Sequence, residues 1–316
     1  MVAEIIGQIG ILSKVEMEHF PALFIALQTE GLGRERNPKR YDHATRILEP
    51  FRTVAKLQIE AAGGFLIKVV GVFDTVSSPF GSRKRELNVN FLQDLGSHIQ
   101  LALQALALNE TRQDFCPCKW EQTEAGRAKG QVLKQVWFSG SHSDIGGGWE
   151  DAHDSADITL AWMISNTAHV LGFDFDYIKT IPNPTAPWGQ QPPHNPRQGI
   201  FSFSFSRPRL PPTTNGFPTF ESIHLSVTQQ LALTPAIASV LGDDSGFVTP
   251  LEGFEIEFKD SWAFSANAPQ REPPQTLAAL VEAGAGDSGG GLLHRALDSS
   301  EAMARRLLKL RLKHYH

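Results

Sequence analysis

Apolar residues at Val2, Ile5, Ile6 and Ile9 recur at spacings of three and four, which predicts an amphipathic helix at the start of the chain. Residues 43–60 repeat that period, with Ala44, Ile47, Leu48, Phe51, Val54 and Leu57 on one face. Asp42 stands in front as an N-cap and Gly63-Gly64 behind as a stop. The run FLIKVVGVF at 65–73 is nearly all apolar, β-branched in its centre and bounded by glycines, which predicts a parallel strand covered on both faces. Asp74 follows it directly. HIQLALQALALNE, preceded by Ser97 as a cap, is expected to be a helix, and VLKQVWF at 132–138 a second strand that runs straight into SGSHSDIGGG. ADITLAWMISNTAHVL, stopped by Gly172, is a further helix. The first 172 residues therefore alternate helix and strand as α/β folds do.

Beyond this the pattern changes. Ten of the 20 prolines fall between 181 and 218, interrupted by FSFSFS, which has the alternation of a short strand. Residues 219–265 return to mixed apolar content. We expect one domain over 1–265, with its core in 1–180 and a Pro-rich excursion at 181–218. A flexible linker is expected over 266–292, where AGAGDSGGG cannot bury a core. A basic carboxyl-terminal helix over 293–316 follows, with a capping box from Asp298 to Glu301, and is expected to pack rather than touch a membrane.

Composition narrows the classes. With 316 residues, 41% of them hydrophobic and 20% charged, the chain is in the globular range, and its apolar runs are shorter than a membrane span requires. A net charge of -5 leaves no basic field for nucleic acid. The amino terminus has Glu4 and no basic region, so no signal peptide is read, and the two cysteines, Cys116 and Cys118, are too close for an ordinary disulfide. A cytoplasmic location is the expectation.

In open α/β sheets ligands sit beyond the carboxyl ends of the strands. Two predicted strands end there in reactive groups: Asp74 after the first, His142 and Asp144 after the second. An aspartate at such an end can fix the tautomer of an imidazole and stabilise the imidazolium formed when it takes a proton from serine. A turn-forming or capping aspartate explains Asp74 equally well at this point. Gly146, Gly147 and Gly148 expose backbone N–H groups suited to an anion, or simply make a tight turn. His142, Asp144, His153 and Asp154 would supply ligands to a divalent metal if the loop curled back, although no established spacing is met and no metal or other cofactor is assigned.

GVFDTVSS at 71–78, ALALNETRQDF at 105–115, VWFSGSHSDIGGGW and ADITLAWMI together resemble a family of α/β-hydrolase-like domains, formerly of unknown function. That family includes the catalytic domains of type VI secretion phospholipase effectors and many fungal proteins. The resemblance spans about residues 3–180. It implies a serine triad with Asp74 as the acid and His142 as the base, a lipid-ester substrate, and no metal role for Cys116 or Cys118.

The resemblance also implies a nucleophile in a G-F-S-R-G elbow, on the turn before a helix like AEIIGQIGILSK, and this chain begins inside that helix. The expectation is thus a partial α/β-hydrolase-like parallel sheet with flanking helices, truncated at its amino terminus and inactive as given. Ser288 lies in the one G-x-S-x-G match, Gly286 to Gly290, but without a strand before it or a helix after it, and Ser139, Ser141 and Ser143 lie too close to His142 in the chain. No nucleophile is assigned. A non-catalytic interaction module and a metal-dependent hydrolase are the alternatives. His224 in ESIHLSV and the Asn109 sequon receive no role. An exposed sheet edge would promote self-association, and membrane contact is expected only through the substrate.

Overall fold

The computed structural model describes residues 2–76, 94–149, 153–210, 212, 215–242 and 246–266. The chain divides into two units, 1–268 and 269–316, and every described residue lies in the first. The basic helix, Ser288 and nearly all of the expected linker lie outside the described residues.

The amino-terminal helix α1 spans Val2–Ile9, followed by α2 over Phe20–Gly31 and α3 over Pro38–Ala61. Ile5 and Ile9 of α1 pack with Leu23, Leu27, Ala44 and Leu48 in a cluster that joins the three helices. The start of α3 is a correction: Asn37, not Asp42, is the cap, its side chain accepting from the Arg40 amide, while Pro38 takes the first turn. An Asn-Pro pair satisfies an orphan donor and presets φ, a stronger start signal than an aspartate four residues on. Asp42 pairs with Arg34 instead.

Five strands form a wholly parallel sheet: β1 Ile67–Phe73, β3 Ile99–Ala107, β5 Val132–Phe138, β6 Glu221–His224 and β7 Val248–Thr249. They lie side by side in chain order, with register Val69 to Leu101, Leu101 to Val132, and Gln135 to Glu221. Two short strands, β2 Asp94–Leu95 and β4 Glu121–Gln122, pair apart from it. Between them and beyond lie α4 Glu124–Ala128, α5 His142–Gly146, α6 Asp154–Thr167, α7 Phe175–Lys179, α8 Pro235–Gly242 and α9 Phe254–Asp260. Flanking helices and a parallel sheet make this a partial α/β fold.

Three expectations need correction. Residues 99–107 are a strand between β1 and β5, not a helix, and Leu101 to Ala107 are all buried. Alanine and leucine are strong helix formers, but the run has no polar face to show to water, and a strand between two neighbours buries such a run on both sides. The strand β1, expected to be covered on both faces, is the edge of the sheet among the described residues, and none of its residues is fully buried. FSFSFS is not a strand either: Gly199–Phe203 is a 3-10 turn, followed by a single bridge between Arg112 and Ser206.

One face of the sheet is covered by α6, whose Ile158, Trp162 and Met163 pack on Leu101, Leu103, Val136 and Phe138. Gly71 permits that approach, because a Cβ there would meet the Met163 sulfur at 2.6 Å. On the other face Ala3 of α1 joins Leu95, Ile99, Ala102 and Leu133. The His98 ring bonds the Ala3 carbonyl through Nε2 at 2.8 Å and fills the space a side chain at Gly7 would need.

Candidate active site at the carboxyl ends of the strands

Asp74 leaves β1 with φ of 45°, a left-handed conformation that aspartate tolerates better than most residues, and it is fully buried. The turn is held by its own amide donating to the Ala105 carbonyl at 2.7 Å and by the Ala107 amide donating to Asp74 Oδ1 at 2.9 Å. His142 opens α5 directly beyond β5. Ser141 caps that helix, with Asp144 reaching back to the Ser141 amide at 2.7 Å as the other half of a capping box. These two turns bring His142 Nδ1 to 2.7 Å from Asp74 Oδ2. The imidazole is 32% exposed, and among the described residues no side chain bonds its Nε2.

Two arginines that the sequence did not single out complete the surroundings. Arg209 reaches in from the Pro-rich excursion and binds both Asp74 oxygens, one through Nη2 at 3.0 Å, while also donating to the carbonyls of Ala107 and Phe115. Burial alone pushes the Asp74 carboxyl up, but the hydrogen bond from His142, the Arg209 guanidinium and the Ala107 amide outweigh it and hold the carboxyl below its ordinary value. Arg112 forms a buried fork with Glu110 at 2.9 and 2.8 Å, and Glu110 also accepts the His142 amide at 3.2 Å. Desolvation raises Glu110, yet the Arg112 contacts more than compensate and its carboxyl is lowered. Above Arg112 lie the rings of Phe115 and Phe201, and Phe115 stands edge-on to His142 at 5.2 Å between centroids.

The remaining candidates separate. Asp144 binds the His194 ring and amide, and His194 stacks on Trp149. Asp154 accepts the Thr185 and Ala186 amides, and His153 is exposed, so His142, Asp144, His153 and Asp154 do not converge. Among the described residues no group of three or more His, Cys, Asp or Glu is placed to hold a metal. The amides of Gly147 and Gly148 both point to the Ser143 carbonyl, and Gly147 closes α5 with φ of 77°, so these N–H groups serve the turn. The Ser141 hydroxyl bonds Asp144 at 2.8 Å. Asn109 accepts the Gly140 amide at 2.8 Å and is packed into the loop under the site. Cys116 is exposed and Cys118 is buried. His224 is buried between Glu255 and Ser226.

The family described as the catalytic domain of Tle1-like type VI secretion (T6SS) phospholipase effectors matches residues 1–166, more than half of the chain, and the chain belongs to that family. No curated protein and no solved structure matches it. Asp74, Glu110, Arg112, Phe115 and His142 lie within the matched residues, whereas Arg209 and Phe201 lie beyond them. No described helix is long and apolar enough to cross a membrane.

Proposed function

We propose that the chain carries the acid and base of a serine hydrolase acting on lipid esters. The observation behind this is the 2.7 Å contact between buried Asp74 and half-exposed His142, whose second nitrogen is open. Asp74 would hold the Nδ1 proton and so present a lone pair at Nε2. A serine hydroxyl placed there would lose its proton to Nε2 as its oxygen bonds the acyl carbon, and the imidazolium would return that proton to the departing alcohol. Water would then release the acid by the same exchange. Asp74 stays ionised throughout, and Arg209 reinforces that state. Membership of a phospholipase family supports a lipid ester as the substrate.

Among the described residues no serine meets Nε2, so the chain by itself is expected not to turn over ester, and Gly146, Gly147 and Gly148 are given no catalytic part. Labelling with a fluorophosphonate probe tests both points. The expected result is no covalent label above background. A label lost in His142→Ala but kept in Ser288→Ala would support the pair and overturn the inactivity; a label kept in His142→Ala would overturn the assignment of the base.

A further inference from the structure

The segment 199–210, outside the family match, inverts the usual alternation. In FSFSFS, Ser204 is buried at 7% exposure, whereas Phe203 and Phe205 are 82% and 68% exposed, and Leu210 is 79% exposed. A segment free to choose would turn its phenyl rings inward and its hydroxyl outward. This one cannot rotate without breaking bonds on both sides: Gln113 donates to the Phe205 carbonyl at 2.9 Å, Arg207 donates to the Thr111 carbonyl at 2.7 Å, and Arg209 is tied to Asp74. The exposed rings are therefore held outward by the same strap that clamps the proposed acid. They also adjoin the site, since Phe201 packs edge-on against Phe115 at 5.8 Å and Phe115 against His142. Between 197 and 210 the chain has three arginines and no acidic residue, and Arg207 is exposed.

We propose that Phe203, Phe205 and Leu210 form a docking surface for an anionic lipid bilayer, with Arg207 facing the headgroups. This rests on the lipid-ester reading, because a substrate that resides in a bilayer must be met at its surface, and the patch lies at the rim of the site that would receive it. Inserted rings would bring the His142 side of the molecule against the membrane.

Cosedimentation of the full chain with phosphatidylglycerol-containing vesicles tests it, with phosphatidylcholine vesicles as the comparison. Binding is expected to favour the anionic vesicles and to fall about tenfold or more in Phe203→Ser/Phe205→Ser/Leu210→Ser. His142→Ala should bind as the parent does, which separates docking from chemistry. If vesicle binding depends on the three side chains while a fluorophosphonate label is kept in His142→Ala, docking stands and the hydrolase reading fails. Equal binding by the triple variant overturns the proposal. So does a triple variant that changes only the sedimentation coefficient of the free protein, since a second copy would then cover the patch.

Discussion

Two of the acid–imidazole pairs among the described residues, Asp74 with His142 and Glu255 with His224, differ in what is left over. Around β1 and β5, Asp74 holds His142 at 2.7 Å; around β6 and α9, Glu255 holds His224 at the same 2.7 Å. His224 is 1% exposed, stacks on Phe138, and has its other nitrogen bonded to Ser226 at 2.8 Å. Both of its nitrogens are committed, so its ring can only hold the core together. His142 has one nitrogen committed, and among the described residues no side chain bonds the other, at a partly exposed surface. An acid beside an imidazole does not distinguish a site from a strut; the second nitrogen does.

The largest effect should come from removing the clamp. Arg209→Met leaves the buried Asp74 charge without its guanidinium and is expected to cost about 3–5 kcal/mol in urea unfolding. That gap should narrow in acid, where Asp74 becomes protonated and no longer needs a cation. In the parent, the lowered Asp74 carboxyl contributes stability above its unfolded value, and that stability is lost as pH falls. A cost below about 1 kcal/mol would show that the His142 region does not depend on the strap.

The two histidines should then part company. His224→Ala removes a buried ring and strands Glu255, for an expected loss of about 2–4 kcal/mol, whereas His142→Ala should cost about 1 kcal/mol or less. Equal losses would erase the distinction drawn between them.

A smaller effect is expected at Asp157, whose carboxyl is pushed up to about 7 by burial and by the neighbouring Asp154 charge. Its folded value lies above the unfolded one, so the folded chain binds more protons between about pH 4 and 7, and stability falls as pH rises through that window. Asp157→Asn should flatten the decline when Tm is followed from pH 4 to 8. Smallest of all, Asn37→Ala removes the α3 cap far from either histidine and should cost about 1 kcal/mol.

How much of this was legible follows from what kind of signal each part leaves. The strand Val132–Phe138 has the residues its apolar run predicts, and the closeness of Asp74 and His142 was legible because strands of one parallel sheet end on the same side. The strand Ile99–Ala107 was misread because leucine and alanine carry a helical preference that only burial on two sides overrides. Arg209 left no trace, since nothing in S-R-P-R-L indicates a partner 135 residues earlier. FSFSFS misled for the opposite reason: its alternation is real, but its orientation is set by bonds to residues 111–113 and 74 rather than by the hydrophobic effect.

The sheet's side-by-side order has a consequence for how the molecule comes into being. Each strand pairs with the one synthesised before it, so a chain emerging from the ribosome can lay down β1, β3 and β5 without reserving a gap for later arrivals. By the time Gly146 has appeared, both residues of the Asp74–His142 contact exist. The guanidinium that neutralises Asp74 is made more than sixty residues later. For that interval the buried carboxylate lacks the guanidinium that offsets its desolvation, so the closed site is expected to be less stable than in the finished chain. Arrival of Arg209 would then act as a closing event in time as well as in space, setting the site only when the strap is in place.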